Sequence, residues 1–119
     1  MPASFMDLVN EARSRVKEID VESAAEAIEA GRCAVLDVRE REEHEQGAIE
    51  GAIRIPRGVA EMQVPRAIPD PSTRIICYCA GGGRSALVAD ALSRMGYTNV
   101  ESMAGGIRAW VQSGRSITR

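Results

Sequence analysis

Apolar positions recur along this chain with two different periods. Phe5, Leu8, Val9 and Ala12 fall on one stripe of residues 1–14, the spacing of an amphipathic helix. Val16 and Ile19 then predict a short strand. Asp20 suits the N-cap of a helix over residues 21–30, and Gly31 stops it. The run Ala34-Val35-Leu36-Asp37-Val38 reads as a buried strand that closes on a charged turn. Residues 39–46 form a charged, short helical turn, and residues 52–55 another short strand, halted by Pro56. Pro65, Pro69 and Pro71 argue against a long helix within residues 57–72 and leave room for one short helix near residues 59–63. Arg74-Ile75-Ile76-Cys77-Tyr78-Cys79 is the strongest strand signal. Residues 84–95 make a strong helix with Gly96 just past its end. A last strand over residues 99–103 and a last helix over 106–112, ended by Gly114, complete the pattern.

Strands alternating with helices at this spacing predict an α/β fold, a parallel sheet covered on both faces. Such sheets place their sites just beyond the carboxyl ends of the strands. Those ends are residues 37–39, 55–57, Cys79 with its loop, and 103–105. Residues 15–119 make one domain, with residues 1–14 as a helical extension that packs on the domain or on a partner, a homodimer through this helix included.

Composition narrows the function classes. Of 119 residues, 45% are hydrophobic and 27% charged, enough apolar content to bury a core and exclude general disorder. The net charge of −2 lacks the basic excess of a nucleic-acid binder. No apolar run reaches membrane-span length. The acidic residues Asp7, Glu11 and Glu18 interrupt any signal-peptide core, so a cytoplasmic setting is expected. Cys33, Cys77 and Cys79 are an odd number without disulfide-framework spacing, in keeping with a reducing compartment. One His and no C-x-x-C pair argue against a metal site, and no cofactor is called for.

The chemistry concentrates in Cys79-Ala80-Gly81-Gly82-Gly83-Arg84-Ser85, between the best strand and the best helix. Three glycines let the backbone curl so that successive N–H groups face one bowl, an anion-binding nest. The helix that follows adds the positive end of its dipole, and Arg84 a permanent charge. A thiol at the mouth of such a bowl is favoured as thiolate and needs no separate general base. The bland alternative is a common strand-to-helix turn with Cys79 as a small buried hydrophobe. A nucleotide-binding P-loop is disfavoured, because no GxxxxGK[ST] is present and the single Lys, Lys17, lies far from any glycine loop.

The chain from about residue 16 to residue 114 resembles a single-domain rhodanese-like protein. Leu36-Asp37-Val38-Arg39-Glu40 with Glu43, Gly47, Ile49, Gly51-Ala52 and Ile55-Pro56 is similar to that family's D-V-R-E…E…G-H-I-x-G-A…I-P signature. The Cys79–Ser85 loop is similar to its C-x-x-G-x-R-S loop. Met103-Ala104-Gly105-Gly106-Ile107-Arg108-Ala109-Trp110 resembles its G-G-x-x-A-W ending. The resemblance implies five parallel strands with helices on both sides. It also implies sulfurtransferase chemistry through a persulfide on Cys79, with the amides of Ala80, Gly81, Gly82, Gly83, Arg84 and Ser85 cradling the outer sulfur. Arg84 would face a small anionic sulfur donor, and a thiol or cyanide would be the acceptor. Six residues from Cys79 to Arg84 match the sulfur-transferring members; related phosphatases and arsenate reductases carry one more. Ala48 stands where the family often has His, and His44 where it often has Tyr or Phe.

Asp37, Arg39 and Arg57 stand at strand ends as candidates for the rim. Asp37 reads chiefly as a loop-bracing hydrogen-bond acceptor, and Arg39 as the partner of Glu43 or Asp37. Cys77, on the face of Cys79 by strand alternation, is a buried core thiol or a resolving thiol. His44 is a solvated helix residue or a replacement for the lost hydrogen bonds of position 48. Residues 40–45 read as a solvated face. The rival functions are a non-catalytic docking module and a small phosphatase or arsenate reductase.

Overall fold

A computed structural model describes all residues, 1–119. In chain order the elements are α1 (Phe5–Arg13), β1 (Lys17–Ile19), α2 (Val21–Glu29), β2 (Ala34–Asp37), α3 (Arg41–Glu45), β3 (Ile53–Arg54), α4 (Ala60–Ala67, preceded by a 3-10 turn), β4 (Ile75–Tyr78), α5 (Gly83–Arg94), β5 (Val100–Met103) and α6 (Gly106–Gln112). All five strands are parallel, in the order β1-β5-β4-β2-β3. No helix is long and apolar enough to cross a membrane.

Strand alternation splits the core into two layers. Leu36, Ile75 and Cys77 face α4 and α5, where Val64, Val88, Ala89 and Leu92 cover them. Val35, Ile76 and Tyr78 face the other way, against Ala24 and Ala27 of α2 and Ile107 and Trp110 of α6. Both faces of the sheet are thus covered by helices, as the pattern predicts for parallel strands. β4 lies at the centre, between β5 and β2, so the loop leaving its carboxyl end emerges between the turns that follow those two strands.

Caps set the boundaries of the first two helices. Ser4 and Asp7 form a reciprocal capping box at the start of α1. Asp20 accepts from Ser23 N–H at 2.8 Å to open α2.

The segment 1–14 packs on the domain, one of the two placements expected of it: Val9 and Ala12 are fully buried and α1 lies along α5. Arg15, just past α1, holds Asp90 of α5 through two hydrogen bonds of 3.0 and 2.7 Å. The apolar stripe that sequence periodicity left unassigned is therefore used within the chain. One expectation needs correction: α4 runs to Ala67 through Pro65 instead of stopping near residue 63. Pro65 removes one N–H from the helix, and the carbonyl it orphans belongs to exposed Glu61, where water can serve it. Buried Val64 and Ile68 anchor the far end of the segment.

Candidate active site

Cys79 is the first residue beyond β4, and the chain must turn from strand to helix within the four residues 79–82. Gly82 makes that turn at φ +101°, a left-handed conformation that favours glycine. Its N–H thereby reaches Cys79 Sγ at 3.1 Å. The Sγ also lies 3.6 Å from the hydroxyl of Ser85, which is fully buried and sits 2.8 Å from Ser102 Oγ on β5. The amides of Ala80, Gly81, Gly83, Arg84 and Ser85 donate to no other group of the protein. α6 pins the loop from outside: Ile107 N–H donates to the Cys79 carbonyl at 2.9 Å and Arg108 N–H to the Ala80 carbonyl at 3.2 Å. A Cβ on Gly106 would stand 2.5 Å from both of those carbonyl oxygens, so the approach depends on glycine there.

The thiol lies at the floor of a depression of about 310 Å³. Cys79 is only 2% exposed, so the opening is narrow at the sulfur. Cys79, Ala80, Gly81, Gly83 and Arg84 line it, together with Phe5, Met6 and Arg13 of α1 and Arg108 of α6. Three arginines and no carboxylate line this depression. Arg84 is held in a bidentate pair by Glu43, at 2.7 and 2.9 Å. Hydrogen bonding from Arg84 holds the Glu43 carboxyl down at about 2, and Glu43 in turn raises the Arg84 guanidinium, with a further contribution from Cys79. Arg13 pairs with Glu18 at 3.2 Å. No group of three or more His, Cys, Asp or Glu side chains that could hold a metal ion is present.

The match to known proteins follows this geometry. Residues 20–113 match the rhodanese-like domain family. The chain belongs to the rhodanese-like family. It is 38% identical over 73 residues to thiosulfate sulfurtransferase PspE of Escherichia coli, covering 61% of this chain and 69% of that one. It spans 54% and 61% of the length of two further relatives. Among solved structures it is similar to a Rhodopseudomonas palustris protein of unknown function described as a possible tyrosine phosphatase (TM-score 0.91, 27% identity, 99% of this chain and 96% of that one). It also resembles thiosulfate sulfurtransferase from Pseudomonas aeruginosa (TM-score 0.86, 26% identity), over 97% of this chain and 22% of that one.

Against this rhodanese-like frame the rim expected from sequence is rearranged. Asp37 and Arg39 do not face the depression: they are 0% and 5% exposed and form a buried brace. Asp37 accepts from Arg39 Nε at 3.0 Å and Nη2 at 2.8 Å, from Tyr78 OH at 2.9 Å, and lies 2.8 Å from His44 Nδ1. Burial opposes its ionisation, but these hydrogen bonds outweigh burial and hold the carboxyl below its ordinary value. His44 is therefore a structural partner of Asp37, not a solvated residue. Glu43 likewise leaves the solvated face to bind Arg84, so Arg39 pairs with Asp37 alone. Arg57 lines a separate depression with Glu61, Leu87 and Arg94. Its rim assignment fails because the turn after β3 leads onto the α4–α5 side of the molecule.

Cys77 is fully buried, and burial pushes its thiol up, in keeping with a core role. Arg13, Phe5, Met6 and Arg108 were missed as lining residues. Only Arg108 carried a signal, its position just after the Gly105-Gly106 pair at a strand's carboxyl end; the other three arrive through the docking of α1.

Proposed function

We propose that the protein is a sulfurtransferase that carries a sulfane sulfur on Cys79. The observation that carries this reading is the loop itself: one N–H already donates to Sγ, and five neighbouring amides are left without a partner in the protein. In the first half-reaction the Cys79 thiolate attacks the outer sulfur of thiosulfate. The S–S bond of the donor breaks, sulfite leaves with the electron pair, and Cys79–S–S⁻ remains. The unpaired amides and the amino end of α5 are suited to hold the charge on the outer sulfur. In the second half-reaction a thiolate or cyanide attacks that outer sulfur and Cys79 is released as thiolate. Two such halves give ping-pong kinetics. The relatives named thiosulfate sulfurtransferase support this chemistry.

Two features weigh against a phosphatase, the reading suggested by the Rhodopseudomonas palustris neighbour. The loop from Cys79 to Arg84 has six residues, one fewer than the family's resemblance associates with oxyanion esters. The depression also contains no acid to protonate a leaving alkoxide: Asp37 is locked to Arg39, and Glu43 is ionised against Arg84. Intact mass after thiosulfate exposure tests the proposal. One added sulfur that localises to Cys79 and is discharged by cyanide is expected, with none on Cys79→Ser. A Cys79→Ser protein with unchanged thiosulfate:cyanide transfer refutes it, as does phosphate-ester turnover without sulfur uptake.

A further inference from the structure

We infer that Arg108 is the residue that binds the anionic end of the sulfur donor, a place that sequence resemblance gives to Arg84. This rests on the sulfurtransferase reading for the identity of the anion, but not for the existence of the anion site. Of the three arginines lining the depression, Arg84 is neutralised by both oxygens of Glu43, and Arg13 is paired with Glu18. Arg108, which is exposed, makes no ion pair and no side-chain hydrogen bond, so no carboxylate of the protein offsets its charge. Its backbone is pinned, and its exposed side chain lies against the loop. The Arg108 amide is bonded to the Ala80 carbonyl at 3.2 Å, and Nη1 stands 3.2 Å from where a Cβ on Gly81 would lie. The guanidinium thus sits directly over the loop that holds Cys79, and Gly81 leaves it room to do so. A planar, permanently charged fork in this position suits the oxygens of a sulfonate-type dianion while the outer sulfur reaches Sγ. Arg108 is a donor-binding residue in this scheme, and the Glu43–Arg84 pair positions the start of α5.

The test measures anion binding and sulfur transfer separately. In Cys79→Ala, which cannot accept the sulfur, calorimetric titration with thiosulfate is expected to show binding that weakens about tenfold when Arg108→Gln is added. Arg108→Lys should recover part of it, and added salt should weaken the parent far more than the Gln variant. In the protein with Cys79 intact, Arg108→Gln should raise KM for thiosulfate about tenfold with kcat retained. Arg32→Gln removes the same charge at the opposite end of the sheet and should change neither. No thiosulfate binding to Cys79→Ala, or equal binding with and without Arg108, overturns the inference. Binding that depends on Arg108 in a protein that takes up no sulfur supports the anion site and refutes only the proposed activity.

Discussion

Removing the carboxylate of Asp37 should unfold this protein more readily than any surface change. The side chain is fully buried, and its two oxygens take the Arg39 side chain, the Tyr78 hydroxyl and a contact with His44 Nδ1. Asp37→Ala leaves the guanidinium of Arg39, only 5% exposed, with the Gly47 carbonyl as its remaining side-chain partner. Breaking one side of a buried ion pair costs about 3–5 kcal/mol. A domain of this size has a total stability of roughly 5–15 kcal/mol, so the loss is a large share of the whole. With a urea slope of about 2 kcal/mol per molar, the unfolding midpoint should fall by roughly 2 M. Asp37→Asn keeps the shape and one acceptor oxygen and should lose less. The double variant Asp37→Ala/Arg39→Met removes both charges and should regain much of the loss, because it leaves no charge stranded. Equilibrium unfolding followed by circular dichroism reads all three. A midpoint shift for Asp37→Ala below roughly 0.5 M, or a double variant no better than the single, refutes the account of this brace.

Three further outcomes follow from the same geometry. Gly106→Ala should cost about 1–3 kcal/mol from its φ of +59° alone, plus the clash with the Cys79 and Ala80 carbonyls; thermal melts should show the loss, and sulfur uptake should fall with it because the displaced atoms are the loop itself. Cys77→Ser should leave the persulfide on Cys79 and its discharge by cyanide intact, since the Cys77 thiol is buried and held protonated; mass analysis showing sulfur uptake abolished in a folded Cys77→Ser protein would return Cys77 to the chemistry. Asp37, Glu43, Asp90 and Glu101 all have folded-state values below their ordinary ones, Glu43 and Asp90 down to about 2. The unfolded chain therefore takes up protons first on acidification: the stability they contribute is complete near neutral pH, begins to fall as pH drops below the ordinary Glu value of 4.5, and is lost through about 2. Urea midpoints measured from pH 7 to pH 3 should decline in that window, and a flat profile contradicts the pairing.

Local pattern was enough to read the elements and the reactive loop. The alternation of strand and helix, the Asp20 cap, the glycines at 31 and 96, and the apolar run into Cys79 are properties of neighbouring residues, and the backbone responds to neighbours. The α/β class and the position of the loop at a carboxyl strand end follow from those alone. The motif order carried the rhodanese-like resemblance, and with it the five strands. What surrounds the thiol depended on docking between distant segments. Glu43 meets Arg84 across 41 residues, and Arg15 meets Asp90 across 75. These pairings turn on which helix lies against which strand, a quantity that periodicity does not contain. The Asp37–Arg39 brace, a pair two residues apart, was legible in the sequence, whereas the exclusion of both from the rim and the place of Arg57 on another surface came from the packing. Phe5, Met6 and Arg13 reached the depression only because α1 buries Val9 and Ala12 along α5. The chain order dictated a cysteine at the amino end of a helix; the packing of α1 and α6 around it decided which charges an incoming anion would meet.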